Sequence, residues 1–137
     1  MPTIQKIEEL EIWQLARSFS KEIFELTQTG KLSKDFSLKD QINRSSGSIM
    51  DNIAEGFGRG SRLEFIQFLT ISTGSSDELK SQLYRCLDRN YLTQQEFENY
   101  YNKLQTLHKK MNAFVFYLNK TAVKGQKFKD RVSTHKP

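Results

Sequence analysis

The chain has 137 residues and a net charge of +5, with 21 Lys and Arg against 16 Asp and Glu, one Cys, two Pro and seven Gly. That length suits one domain with a small core, and so few breakers favour long helices. A single Cys86 excludes an internal disulfide framework and suits a reducing cytoplasm; no apolar run approaches the ~18 residues of a membrane span, and Glu8, Glu9 and Glu11 stand where a secretory leader would be apolar.

The first predicted helix covers about residues 8–27. Ile12, Ala16, Phe19, Ile23 and Leu26 recur at alternating steps of four and three, with glutamates in the first turn. Gly30 is a stop signal. The second helix is expected over about 37–56, opened by Ser37 with Asp40 and carrying Leu38, Ile42, Ser45, Ile49 and Ile53 on one face. Gly56, Gly58 and Gly60 then break it.

Ser61-Arg62-Leu63-Glu64 has the form of a capping box, so the third helix should run over about 62–89 with Ile66, Leu69, Thr73, Ser76, Leu79, Leu83 and Leu87 facing inward. The linker before it is short enough to make helices two and three antiparallel neighbours. Thr93-Gln94-Gln95-Glu96 is a second capping box. It opens a fourth helix over about 94–120, whose heptad is Phe97, Tyr100, Leu104, Leu107, Met111, Phe114 and Leu118. No alternating apolar pattern predicts a strand. The reading is an all-α, up-down-up-down four-helix bundle over residues 1–120.

Residues 121–137 lack periodicity and hold Lys124, Lys127, Lys129, Arg131 and Lys136 against Asp130 alone, so a disordered basic tail is expected. The remaining residues hold 16 basic and 15 acidic side chains. The bundle is thus near neutral, and the tail makes the protein basic.

Asn52-Ile53-Ala54-Glu55-Gly56, Arg59, Glu64-Phe65, Phe68-Leu69, Gly74-Ser75 and Glu78-Leu79, with Leu10, Ile12-Trp13, Ala16 and Gln41-Ile42 upstream, are the residues on which a resemblance rests. In this order and spacing, over about residues 9–119, the chain resembles the four-helix-bundle proteins encoded in intervening sequences of bacterial 23S ribosomal RNA genes. Thr73 departs from the pattern, which usually has a small apolar residue there. The resemblance implies a helical bundle, often assembled as a pentameric ring and usually without a demonstrated activity. Distantly similar are retroelement accessory variability proteins, in which a basic ring contacts nucleic acid. It implies a role only by analogy.

The chemistry the residues suggest is sparse. Neither His108 nor His135 has the acidic residue three positions earlier that a di-iron bundle site needs, and one Cys with two His makes a poor zinc set. No metal, cofactor or small-molecule substrate is expected, and no enzyme activity. His108 and Cys86 read as core-associated structural residues. Gly56-Phe57-Gly58-Arg59-Gly60 follows a helix and lacks the phosphate-loop pattern, so it reads as a turn. Arg59 and Arg62 beside it suit either solvated surface charge or a grip on phosphate. The signature residues Asn52, Glu55, Ser75 and Glu78 read as a polar latch between helices two and three or between subunits. An acid–base cluster would need a nucleophile or histidine beside them.

Several aromatics fall off the seams, among them Trp13, Phe24, Phe65, Phe68, Tyr84 and Tyr101, and the segment Ala113–Leu118 with Phe116 and Tyr117 is apolar all round. Self-association is the expected consequence, with Trp13, Phe65, Phe68, Tyr101, Phe116 and Tyr117 as interface candidates. Two functions are in view. One is a nucleic-acid-binding accessory protein that contacts RNA through Arg59, Arg62, Lys124, Lys127, Lys129 and Arg131. The alternative is a protein-interaction scaffold ring with no nucleic-acid role.

Overall fold

The computed structural model describes the backbone of residues 4–132 and the side chains of residues 4–121. Four helices make up the bundle: α1 (Glu11–Thr27), α2 (Phe36–Gly58), α3 (Arg62–Asp88) and α4 (Gln94–Val132). No strand occurs among the described residues. Each helix packs on the next and α4 closes back on α1, the antiparallel order that short linkers impose.

α1 starts three residues later than its periodicity suggests. Ile7–Glu9 forms a separate 3-10 turn, and Leu10 is extended at ψ 119°, which sends its side chain into the core. Ile12, Ala16, Phe19 and Ile23 are buried as expected, but Thr27 takes the last place instead of Leu26. It can do so because its hydroxyl is satisfied: it donates to the Phe24 carbonyl at 2.7 Å and accepts from Asn43 Nδ2 at 3.0 Å.

The cap of α2 is Asp35, not Ser37. Its carboxylate accepts from the Leu38 amide at 3.3 Å, while Asp40 pairs with Arg44 at 2.9 Å. Asp35 also accepts from Arg89 at 2.7 Å and from the Tyr91 hydroxyl at 2.8 Å, tying the start of α2 to the turn between α3 and α4. The Tyr91 bond foremost, then the Leu38 amide and Arg89, hold its carboxyl below the ordinary carboxylate value against the opposing effect of desolvation.

Gly56 does not end α2, which continues to Gly58. A Cβ on Gly56 would lie 2.7 Å from the Phe68 Cβ and 3.3 Å from the Phe65 carbonyl oxygen, so the glycine is there to let α3 come close. The reversal itself falls at Gly60, whose φ of 69° is the left-handed conformation glycine adopts freely. Ser61 then caps α3, accepting from the Glu64 amide at 3.3 Å.

The buried face of α3 is Phe65, Leu69, Ser72, Ser75, Ser76, Leu79, Gln82, Leu83 and Cys86. Ile66, Thr73 and Leu87, expected inside, are only partly covered. The displacement has a physical cause: the helix turns small serines toward α2, where close backbone approach and hydrogen bonds compensate for their polarity.

α4 opens on a reciprocal box, with Glu96 accepting from the Thr93 amide at 2.8 Å and Thr93 from the Glu96 amide at 3.1 Å. Phe97, Leu104, Leu107, Met111 and Leu118 are buried. Leu118 is the last core side chain of the described residues, so the bundle ends where the heptad stops. The helix backbone does not stop near Lys120 but runs on to Val132. Gly125 is the only strong breaker in that stretch, and one glycine is not enough to end a helix. The disorder expected of the tail concerns residues whose side chains, and from 133 onward whose backbone, lie outside the described residues.

Candidate functional site

The polar residues of the α2–α3 seam form a short relay. Asn52 Nδ2 donates to the Ser48 carbonyl at 2.8 Å and to Ser48 Oγ at 3.0 Å, and Ser48 Oγ lies 2.8 Å from Ser75 Oγ. Because Ser48 Oγ accepts from Asn52, its own proton is free for Ser75. One turn away, Ser72 Oγ donates to the Ile49 carbonyl at 2.9 Å, and both groups are buried. Ser48–Ser75 and Ser72–Ile49 thus bond across α2 and α3, whereas Asn52 reaches Ser75 only through Ser48.

The carboxylates expected in the latch are elsewhere. Glu78 is exposed, and Glu55 is exposed and pairs with Arg59 at 3.6 Å one turn along the same helix. Carboxylates lose too much hydration to enter so close a seam, whereas a serine hydroxyl is satisfied by one neighbour. Ser72, which the signature did not single out, is the residue that sequence reading missed. Its only signal was an i, i+4 spacing to Ser76 that looks no different from a solvated face.

Ser76, Asp77 and His108 come together at the α3–α4 seam in a way that invites comparison with a hydrolytic triad. His108 Nδ1 is 3.0 Å from Ser76 Oγ and 3.9 Å from Asp77 Oδ1. Both partners face the same ring nitrogen, whereas a relay needs them on opposite nitrogens. Ser76 is also fully buried. Burial, with Lys80 nearby, holds the His108 pKa below its ordinary value and outweighs the opposing pull of Asp77. The trio is a structural hydrogen bond with a neutral histidine. The Cys86 thiol is buried and pushed up to about 11, which leaves it protonated near neutrality. Among the described residues no group of three or more His, Cys, Asp and Glu is placed to hold a metal ion.

Arg59 and Arg62 are exposed at the α2–α3 turn. Arg59 also lies over the Phe68 ring at 5.1 Å, so its guanidinium is shared between Glu55, Phe68 and solvent. The side chains of Lys124, Lys127, Lys129 and Arg131 lie outside the described residues.

The aromatic candidates separate into two groups. Phe65 is buried and packs on Phe57 and Phe114 within the monomer, so it is core and not exposed interface. Trp13, Phe68 and Tyr101 are half-buried, Tyr101 in a cluster with Tyr84 and Phe97. Phe116 (70% exposed) and Tyr117 (49%) stand out from the bundle, and so do Phe24, Phe36, Leu63, Ile71 and Tyr84.

With this geometry in place, comparison with known proteins is informative. A family model described as "23S rRNA-intervening sequence protein" matches residues 8–113. The fold is similar to a crystal structure of a protein of unknown function from the S23 ribosomal protein family of Bacteroides thetaiotaomicron, at a TM-score of 0.71 and 25% identity, over 76% of this chain and 94% of that one. No curated protein matches the sequence.

Proposed function

Since the chain belongs to the 23S rRNA-intervening sequence protein family, we propose that it is a non-enzymatic, oligomeric accessory protein of the cytoplasm that binds RNA. The observation that carries this reading is the distribution of charge. Five basic residues against one acidic one are gathered after Lys120, on a bundle that is otherwise balanced. Arg59 and Arg62 add exposed cations at the α2–α3 turn.

One such tail is a weak ligand for phosphate. In a ring of five, the assembly the family resemblance implies, the tails act together, and multivalent attachment raises avidity by ~10²–10⁴ without any new contact. Binding is then dominated by phosphates and weakens steeply with salt as released counterions return.

The test is an RNA titration at several salt concentrations on the full chain. It is compared with a variant carrying Gln at Lys124, Lys127, Lys129 and Arg131, and with Arg59→Ala/Arg62→Ala. Both sets should weaken binding, the tail set more, and the tail set should flatten the salt dependence. A full chain that binds no RNA even near ~50 mM salt, where such contacts are strong, replaces this reading with a protein-interaction scaffold. The near-neutral bundle and the exposed Phe116 and Tyr117 favour that second reading.

A further inference from the structure

On the outer side of α1 a shallow cavity of about 440 Å³ is lined by Glu8, Trp13, Gln14, Arg17, Ser18 and Lys21. Trp13, Arg17 and Lys21 follow one another at four-residue spacing and so share one face of the helix. Trp13 packs partly against the core, and the Arg17 guanidinium carbon lies 5.8 Å from its ring centroid. Arg17 and Lys21 are exposed, and neither has an ion-pair partner among the described residues. Trp13 belongs to the family signature, but Arg17 and Lys21 do not, and the charge of the tail does not account for their place beside it.

We propose that this cavity is a stacking site for single-stranded RNA, in which one base stacks against Trp13 and Arg17 while Arg17 and Lys21 hold the flanking phosphates. The inference rests on the RNA-binding reading above but places a contact on the bundle itself. With the Arg17 guanidinium over the indole ring, a base can stack on the free face of either planar group, and stacking of this kind tolerates any base because each has a π face. Arg17 and Lys21 are separated by about 6 Å along the helix axis, comparable to successive phosphates of an extended strand. Unpaired, they keep their charge available for counterion release. Glu8 is the one acidic residue in the lining, and its carboxylate opposes a phosphate brought into the cavity.

Trp13 is the only tryptophan in the chain, so its emission reports this cavity alone. The experiment adds a ten-nucleotide single-stranded RNA to the full-length protein at low salt and follows Trp13 fluorescence, with anisotropy of the labelled RNA as an independent readout of binding. Saturable quenching, reversed by salt, is expected. Arg17→Ala/Lys21→Ala should lose both quenching and affinity. Trp13→Leu, read by anisotropy, should weaken binding about 5- to 100-fold, the worth of one base–aromatic stack. Glu8→Gln should tighten binding severalfold, a gain that misfolding cannot produce. If RNA binds without moving Trp13 emission and with equal affinity for the Arg17/Lys21 and Glu8 variants, the cavity is overturned while the tail reading stands. If quenching and affinity both survive neutralisation of the tail lysines and Arg131, the cavity is supported and the tail loses its role. No binding by any form overturns both.

Discussion

Gly56 shows how much one missing carbon can decide. The nearest obstacles to an added Cβ are the Phe68 Cβ at 2.7 Å, the Phe65 ring Cδ1 at 2.9 Å and the Phe65 carbonyl oxygen at 3.3 Å, and the first and last of these cannot rotate aside. Gly56→Ala should therefore force α2 and α3 apart, at a cost of ~1–3 kcal/mol typical of overpacking, read as a lower urea midpoint. Gly47 and Gly74, also within helices, have open space at the same position. Gly47→Ala and Gly74→Ala should instead be neutral or stabilising by up to ~1 kcal/mol, the propensity gain of Ala over Gly. Equal losses at all three sites would show that helix approach is not what Gly56 serves. His108 makes a second prediction at this scale. Its folded pKa lies below the ordinary 6.5, so below that pH the unfolded chain takes up a proton that the folded chain resists. Its contribution is fully present above 6.5 and is lost as pH falls through the lowered folded value. His108→Gln should remove that part of the acid-side decline, measured as the melting temperature against pH; an unchanged profile would contradict it.

Between elements, the α2–α3 seam is held by hydroxyls. Ser75→Val removes the only direct side-chain bond from Ser75 to Ser48 and adds bulk at a buried close contact. We expect it to cost ~1–3 kcal/mol. Asn52→Leu should cost less, because Asn52 is only partly buried and bonds solely within its own helix. Denaturant midpoints of the two variants rank them, and the reverse order would relocate the latch. The helices themselves were legible in the sequence: the Thr93 and Ser61 caps and the heptad from Phe97 to Leu118 needed nothing beyond local spacing. What was not legible depended on distant partners. Asp35 outcompetes Ser37 as a cap partly because Arg89 and Tyr91, more than fifty residues away in the chain, hold it in place. Likewise, an apolar-pattern reading selects Ile66 over Ser72 and cannot see that a serine opposite the Ile49 carbonyl is satisfied. The carboxylates Glu55 and Glu78 were grouped with the latch because they belong to the family signature, but helical rotation turns both to solvent.

For the whole molecule, the exposed aromatics set the expectation of assembly. Phe116 and Tyr117 lie on α4 beside Leu118, where the core runs out, and their exposure in one copy leaves apolar surface for another to cover. Light scattering coupled to gel filtration should give a mass several times the 16.0 kDa of one chain. Phe116→Asp should shift it toward the monomer without loss of helical signal. A wild-type monomer at micromolar concentration would remove both the ring and the multivalent argument for RNA affinity. No helix among the described residues is long and apolar enough to cross a membrane.

The four helices do not hold one another equally. α2 and α3 share the most extensive contact, whereas α1 and α4 meet sparsely across a cleft of about 280 Å³ floored by Leu15, Phe19 and Leu107. The α1–α4 side is therefore the less extensively packed one, bridged at its surface by Lys103–Glu22 and Lys110–Glu11. Native-state amide hydrogen exchange should find the slowest protons around Ile49, Ile53, Leu69 and Leu79, released only by global unfolding. The amides of α1 should exchange sooner, through excursions in which that helix lifts from α4 while the α2–α3 hairpin stays closed.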